Sequence, residues 1–269
     1  MWTGRVGRRA VATTFDVSVG HVTQDFQRYR EMAPSNLVYD VGRRCFCRTD
    51  AFRPIFDSDG PADILQTLAA TVPLSPQDRT RLLGFDIPVE AARPLPATVD
   101  QAVLINVSNA ITGSELLDLS YQSMNTPEPV GRKFAPHALV FTGQRWLVRG
   151  WDHRHQEYRD LALGRIIRAK AAGGAGALPR DDLWHDQVML EIGLAEGLSE
   201  SQAVVTGREF GMGREGGEYR VRLTARKSMV PYVLDNLQAV AVTGGASALP
   251  LRVLNYPAVR AFDRPNAVR

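Results

Sequence analysis

Hydrophobic residues recur at helical spacing near the start of the chain. They predict one helix over residues 7–15 and a second over residues 19–32, joined by a tight turn over residues 16–18. Ser18 is a residue type favoured at a helix N-cap, and Pro34 predicts the end of the second helix. The apolar positions of the two helices are Ala10, Val11, Phe15, Val22, Phe26 and Tyr29. This pattern predicts a helix-turn-helix.

A short β-hairpin is predicted directly after these helices. Apolar residues over 37–39 and 45–47 flank a polar turn that contains Arg43 and Arg44. Two helices followed by a basic hairpin are typical of a winged helix-turn-helix, which we predict for residues 1–56.

The following segment is rich in prolines. Two apolar helical stretches, residues 62–71 and 99–111, are separated by five prolines. We therefore predict a helical linker over residues 57–112.

Hydrophobic alternation with a period of two begins beyond this linker. It covers residues 117–123, and three further apolar runs, 139–141, 146–151 and 158–163, are separated by glycine and polar clusters. The pattern predicts a tightly turned β-meander within a central β-domain over residues 113–170.

The last third of the chain has the pattern of a small α+β unit. The Gly/Ala-rich stretch 171–177 predicts a hinge. Strands are predicted over 187–192 and 219–223 and a helix over 229–238, within a C-terminal segment that we assign to 178–269. The fold class is therefore predicted as α+β multidomain.

Charge is segregated along the chain, although the net charge is only +3. Residues 1–48 carry eight arginines and four acids, residues 49–120 carry four arginines and ten acids, and residues 121–170 carry nine basic residues and four acids. Two basic segments predict two anion-binding regions, with nucleic acid as the expected partner of the first.

The polar face of the second helix is the candidate DNA-reading surface. Short polar side chains at the start of such a helix reach base edges in the major groove, and a basic hairpin tip contacts phosphates. A helical hairpin that only packs, with its polar face in water, is the alternative. The predicted DNA-binding residues are Arg8, Ser18, His21, Thr23, Gln24, Arg28, Arg43 and Arg44.

An arginine in the predicted meander requires a partner. Arg149 lies between Leu147 and Trp151 on one face of its strand. A guanidinium in this place pairs with an internal carboxylate such as Asp160 or with an anionic ligand such as a phosphate.

No catalytic motif or cofactor site is predicted. Ser123, His137 and either Asp152 or Asp160 have the residue types of a triad, but no serine lies in a G-x-S-x-G motif. The glycines of residues 211–216 match the dinucleotide fingerprint by letters, yet a strand-like segment follows them where a helix must begin. We therefore expect a protein that is not an enzyme.

Metal binding is not predicted either. Cys45 and Cys47 are the only cysteines, and we expect them on opposite faces of a strand, which favours neither a disulfide nor a metal site. His137, His153 and His155 lack a carboxylate or thiolate at the spacing of a zinc site.

The sequence predicts a cytoplasmic protein with no membrane partner. No apolar run approaches the roughly 20 residues that span a bilayer, and the first ten residues lack the apolar core of a signal peptide. Only residues 1–6 precede the first helix, which suggests a start inside or just after a preceding helix of the same unit.

The central β-domain resembles a known family. The residues that carry the likeness are Leu119, Tyr121, Ser123, Arg132, Pro136, His137, Arg145, Trp146, Leu147, Val148, Tyr158, Arg159, Asp160, Leu163, Arg165 and Ile166. This set resembles a WYL domain, the Sm/SH3-like β-fold of bacterial regulators. The middle aromatic of the Trp-Tyr-Leu motif is replaced by Leu147 here. Residues 2–240 resemble the phage-defence-associated repressors of the BrxR and CapW family.

This resemblance implies a regulator that represses a defence operon. It implies a homodimer, joined by the C-terminal extension, that binds an inverted repeat in double-stranded DNA. It also implies a nucleotide or nucleic-acid effector in the WYL domain. An activator that responds to single-stranded DNA is the alternative. The implied ligand-binding residues are Tyr121, Ser123, Arg132, His137, Arg149 and Arg159.

Overall fold

The protein forms two compact units, Met1–Arg93 and Pro94–Arg269. The computed structural model describes residues 3–56, 60–92, 98–242 and 250–263. Residues 243–249 and 264–269 of the predicted C-terminal segment therefore lie outside the described residues.

The first unit confirms the predicted helix pair and hairpin. The boundary between the units lies within the predicted linker, so two helices of that linker belong to this unit. Its elements are β1 (Arg5–Val6), α1 (Arg8–Phe15), α2 (Val19–Met32), β2 (Leu37–Asp40), β3 (Cys45–Arg48), α3 (Pro61–Ala70) and α4 (Pro76–Leu83). Sequence analysis missed β1, which is two residues long, and α4, which begins at Pro76.

A three-stranded antiparallel sheet supports helix α2. Strand β3 is the central strand, between β1 and β2. Phe46 of β3 stacks on Phe26 of α2 with ring centroids 4.5 Å apart, and Val22 of α2 is buried. The apolar side of α2 is therefore fixed against the sheet.

The expected placement of Cys45 and Cys47 on opposite faces is wrong. Residues two apart in a strand share a face, because successive side chains alternate. The two sulfur atoms lie 3.9 Å apart, and both cysteines are free.

The second unit begins with one helix on a five-stranded antiparallel sheet. Its elements are α5 (Gln101–Gly113), β4 (Glu115–Tyr121), β5 (Val130–Phe141), β6 (Trp146–Asp152), β7 (Glu157–Ala162) and β8 (Ile166–Gly174). The strand order is β7-β6-β5-β4-β8. Asp100 caps α5 by accepting a hydrogen bond from the Val103 amide at 3.1 Å. Val103, Val107 and Ala110 of α5 pack into the sheet's core with Phe134 and Val148, so α5 belongs to the β-domain rather than to an extended connector.

Two strand predictions need correction. The predicted hinge at 171–177 is wrong over its first four residues, because β8 continues through Gly174 and pairs Ala171 with Leu117. Alanine and glycine give no strand signal of their own, and the ladder with β4 determines the conformation. Strand β5 begins at Val130 rather than at residue 139, and its register shifts between Pro136 and Ala138.

The rest of the second unit packs helices on a four-stranded sheet. Its elements are α6 (Asp182–His185), β9 (Gln187–Leu194), α7 (Glu200–Glu209), β10 (Gly213–Glu215), β11 (Glu218–Arg226), α8 (Val230–Val242), β12 (Leu251–Val253) and α9 (Tyr256–Val259). The strand order is β10-β11-β9-β12, with a core built on Leu190, Val230, Leu234 and Val259. The predicted strands and the helix of this region are confirmed.

Candidate nucleic-acid interface and ion-pair clusters

Helix α2 presents a polar face to solvent. Ser18 caps it by accepting a hydrogen bond from the His21 amide at 3.1 Å. Since Val22 and Phe26 face the sheet, the side chains of His21, Gln24 and Arg28 are exposed on the other side. This is the position from which a recognition helix contacts base edges.

Two of the predicted DNA-binding residues are partly occupied within the unit. Thr23 is half-buried, and its hydroxyl donates to the Val19 carbonyl at 2.8 Å. Arg8 is half-buried too, with its guanidinium 5.5 Å from the Tyr39 ring centroid and 3.5 Å from the Tyr39 hydroxyl. Arg8 thus helps to hold α1 on the hairpin, which leaves less of it free for DNA.

The tip of the β2–β3 hairpin is exposed and basic. The Arg43 amide donates to Asp40 at 2.9 Å, and this hydrogen bond lowers the pKa of Asp40, with the Arg43 charge acting in the same direction. Arg44 has a left-handed backbone, with φ at 51°, and no hydrogen bond or ion pair engages its side chain within the described residues. Arg44 is therefore available to a phosphate.

A buried ion-pair cluster lies in the second unit. Arg149 donates to both carboxylate oxygens of Asp181, at 2.7 and 2.9 Å, and to Asp160 at 2.9 Å. The second oxygen of Asp160 accepts from the Tyr232 hydroxyl of α8 at 2.8 Å. His137 lies 3.0 Å from Asp181 through Nε2. Of the two kinds of partner considered for Arg149, the structure has the internal carboxylate Asp160, and Asp181 is a further partner that sequence analysis missed.

The cluster shifts the ionisation of its buried members. Burial disfavours the charged form of Asp181, but hydrogen bonds from His137 and Arg149 outweigh it and hold the pKa of Asp181 well below its usual range. Burial also works against the charge of Arg149, yet its hydrogen bonds and the nearby carboxylates raise the pKa of Arg149 overall. Both groups are therefore ionised at neutral pH.

A second ion-pair cluster lies on the other face of strand β6. Asp152 is fully buried and accepts from Arg132 at 2.6 Å, from His155 at 2.8 Å and from the Arg154 amide at 2.9 Å. Burial raises the pKa of Asp152, but these hydrogen bonds lower it overall. Because Asp152 and Arg149 are three residues apart in one strand, their side chains point to opposite faces.

The six predicted ligand-binding residues therefore fall into separate places. Arg132 lies over the Tyr121 ring at 5.2 Å, next to Asp152, whereas His137 and Arg149 share Asp181 on the opposite face. Arg159 pairs with Glu157 at 2.5 Å in an exposed contact, and the Ser123 hydroxyl accepts from the Asn125 amide at 3.2 Å. One pocket wall does not contain all six.

A cavity of about 460 Å³ lies beside the Arg149 cluster. His137 lies edge-on to Tyr158 and to Trp184 there, with ring centroids 5.5 and 5.3 Å apart. Residues 175, 176 and 178–181, which include Asp181, also line this cavity. Tyr158 and Trp184 were not among the predicted site residues. Trp184 is 47 positions after His137, and no periodic pattern connects these two residues.

Acid titration should weaken the fold through these two carboxylates. The folded-state pKa values of Asp181 and Asp152 lie below the ordinary value of 3.8, so the stability that they contribute is present above that pH and is lost as the pH falls further. The unfolding free energy, measured with urea at constant ionic strength, should be flat near pH 6–7 and fall between roughly pH 5 and 2. Asp181→Asn should make this decline shallower, and an unchanged slope would contradict the assignment.

The helix-turn-helix with its basic hairpin and the meander domain define a winged-helix transcriptional regulator with a WYL domain. Family models support both parts. The BrxR transcriptional regulator winged helix-turn-helix domain matches residues 1–70, and the WYL domain matches residues 102–171. The WYL match includes helix α5, in agreement with its place in the core.

Curated relatives extend this similarity to most of the chain. A DNA-binding transcriptional repressor CapW of Escherichia coli (strain KTE188) is 31% identical over 88% of this chain and 78% of its own length. CapW proteins of Pseudomonas aeruginosa and Stenotrophomonas maltophilia are 30% and 28% identical over 88% and 97% of this chain and over 78% and 87% of their own lengths. The chain belongs to the family of WYL-domain regulators that includes BrxR and CapW, as the sequence resemblance predicted.

Other comparisons add less. A solved structure, the proteasome accessory factor B/C (PafBC) of Arthrobacter aurescens, aligns with 95% of this chain and with 44% of its own chain, at 14% identity and a TM-score of 0.29.

Within the described residues, no helix is long and apolar enough to cross a membrane. Among the same residues, no three His, Cys, Asp or Glu side chains group as metal ligands. The relatives are transcriptional repressors, which is not an enzyme family.

Proposed function

We propose that the protein is a cytoplasmic, homodimeric repressor that binds an inverted repeat beside a phage-defence operon. One observation supports DNA binding. The exposed polar face of α2 lies in the same unit as the free Arg44 side chain at the hairpin tip. The repressor relatives support the sign of regulation. A two-fold dimer places two α2 helices on half-sites about one or two helical turns apart, or roughly 34–70 Å.

The domain roles follow from the same proposal. Residues 1–56 bind DNA, the WYL domain is an Sm/SH3-like sensor, and the C-terminal extension over 178–269 joins the two subunits. An activator that responds to single-stranded DNA remains the alternative, and a reporter driven by the upstream promoter distinguishes it by the sign of the response.

Ligand control, in this proposal, operates by exchange at Arg149. Each of the three guanidinium nitrogens donates to Asp181 or Asp160 and the side chain is only 4% exposed, so in this proposal an anionic nucleotide reaches Arg149 by displacing one of these carboxylates. Asp160 also holds Tyr232 of α8, so a ligand that moved Asp160 would loosen the contact between the WYL sheet and the C-terminal extension. Such a ligand changes DNA binding only if it binds the two conformations unequally.

Recognition-helix and hairpin variants should have different effects on DNA binding. Gln24→Ala should weaken binding to the protein's own upstream sequence by about 1–3 kcal/mol, roughly 5- to 150-fold, and leave binding to unrelated duplexes unchanged. Arg44→Ala should weaken binding to all duplexes similarly and reduce the slope of log affinity against log salt by about 1. Mobility-shift titrations at several salt concentrations measure both effects.

Arg81→Ala is the matched control for these variants. Arg81 is exposed on α4 in the same unit and pairs only loosely with Asp78, at 3.7 Å. Its removal should leave the specific affinity and the salt slope unchanged. If Gln24→Ala and Arg28→Ala also bind the upstream sequence as tightly as the unmodified protein, α2 is not the recognition helix.

A further inference from the structure

The two cysteines of the chain form an unused pair of thiols in the first unit. Their sulfur atoms are 3.9 Å apart on one face of β3, and neither is in a disulfide. We propose that Cys45 and Cys47 are a binding site for a soft, thiophilic d¹⁰ metal ion, with Cu(I) as its representative. This inference does not depend on the proposed DNA binding.

The separation of the sulfurs suits a shared metal ion. Metal–thiolate bonds are about 2.3 Å long, so an ion bound to both sulfurs at 3.9 Å subtends a S–metal–S angle of roughly 115°. That angle lies between the tetrahedral and trigonal values. One further ligand from solution completes a three-coordinate ion without any movement of the strand.

A disulfide fits the same pair less well. The sulfurs of a disulfide are about 2.05 Å apart, and residues two apart in a strand have Cα atoms separated by roughly 6.6 Å, at the long end of the disulfide range. Strand β3 is hydrogen-bonded on both sides, with Cys47 opposite Arg5 and Val38 and Cys45 opposite Asp40. The paired backbone therefore resists the shortening that a disulfide needs.

The site is reachable and has a compensating charge. Cys45 lines a cavity of about 740 Å³ together with Arg5 and Arg43. Coordination of Cu(I) by both groups releases two thiol protons and leaves one net negative charge on the complex. Arg5 lies directly opposite Cys47 on the same face and offsets that charge. Asp40, opposite Cys45, works against it, but its carboxylate already accepts from Arg43.

The number of ligands favours a soft ion over zinc. Structural zinc takes four protein ligands, whereas among the described residues no third His, Cys, Asp or Glu joins this pair. Two thiolates are the ligand set that Cu(I) prefers.

Anaerobic titration of the reduced full chain tests the site. Cu(I), supplied in competition with a coloured Cu(I) chelator, should bind at one equivalent per chain and produce thiolate-to-metal charge-transfer absorption in the near ultraviolet. Cys47→Ser should weaken the binding at least 100-fold and remove the absorption. Cys47 is the half-buried member of the pair, so this variant should retain the fold, which thermal unfolding checks. Zn(II) titrated in the same way should bind more weakly than Cu(I).

Three results would overturn the proposal. Cu(I) binding of equal affinity in the unmodified chain and in Cys47→Ser would place the ion elsewhere. Tighter binding of Zn(II) than of Cu(I) would exclude a soft two-thiolate site. Loss of both free thiols in air, with a mass decrease of about 2 Da for one disulfide, would show that the pair closes as a disulfide after all.

Discussion

Asp181→Ala is expected to lower the free energy of unfolding by about 3–5 kcal/mol, because it leaves a buried guanidinium short of a partner. The side chains of Arg149 and Asp181 are 4% and 3% exposed and are joined by two hydrogen bonds. The same carboxylate caps α6 by accepting from the Trp184 amide at 3.2 Å. Urea unfolding at pH 7 measures the loss.

Two further variants test this explanation. Asp182→Ala changes the adjacent residue, whose side chain is 70% exposed, and should cost less than about 1 kcal/mol. Arg149→Met in the Asp181→Ala background removes the guanidinium whose Nε and Nη2 have lost their acceptor and should recover part of the loss, since Asp160 keeps its hydrogen bond from Tyr232. If Asp181→Ala alone costs no more than Asp182→Ala, the buried pair is not a determinant of stability.

Gly150→Ala is expected to destabilise the WYL domain by about 3 kcal/mol. A Cβ atom at this position would lie 2.4 Å from the Ala135 carbonyl oxygen and 2.7 Å from both the Phe134 ring and the Pro136 Cα atom. Two of these three contacts are backbone atoms of the neighbouring strand, so rotation of a side chain cannot relieve the clash. The strands must move apart at the point where their register shifts.

Gly131→Ala provides the matched control in the same sheet. No atom lies within 4 Å of a Cβ built on Gly131, and its backbone is extended. This variant should change the free energy of unfolding by less than about 0.5 kcal/mol. Thermal and urea unfolding of the two variants side by side would contradict the packing argument if they lose the same stability.

The helix pair and the hairpin of the first unit could be predicted from sequence. Helical spacing, a serine N-cap and a basic turn are local signals, and α2 begins and ends where they indicate. Local rules fail where a side chain packs on a residue that is distant in the sequence. Arg8 belongs to the polar set, yet it packs on Tyr39, which lies 31 residues further along the chain.

The ion-pair clusters show a different limit. The need of Arg149 for an anionic partner was evident from its neighbours, and Asp160 pairs with it in the adjacent strand. Asp181 comes from a segment beyond β8 with no periodicity, so only the folded chain brings it to Arg149. Asp181 directly precedes α6, and aspartate is a residue type favoured at a helix N-cap. This is the local signal that could have indicated Asp181.

The same limit explains why the six implied ligand residues do not share a site. Sequence similarity assigns residues to a family position but does not report which face of a strand they occupy. Arg132 and Arg149 both come from the basic segment, but one pairs with Asp152 and the other with Asp181.

The register shift in β5 changes which residues of the strand point to each face of the sheet. Before it, Phe134 lies opposite Asp152 and its ring enters the core, while after it Ala138 lies opposite Arg149. Even-numbered residues thus change sides between Pro136 and Ala138. A deletion of residue 137 would leave Pro136 opposite Gly150 and Ala138 opposite Arg149, so that alternation would be continuous and each half of the strand would keep its orientation. The residue inserted at the irregularity is His137, and the irregularity therefore provides the ring that contacts Asp181 and Trp184 beyond the sheet.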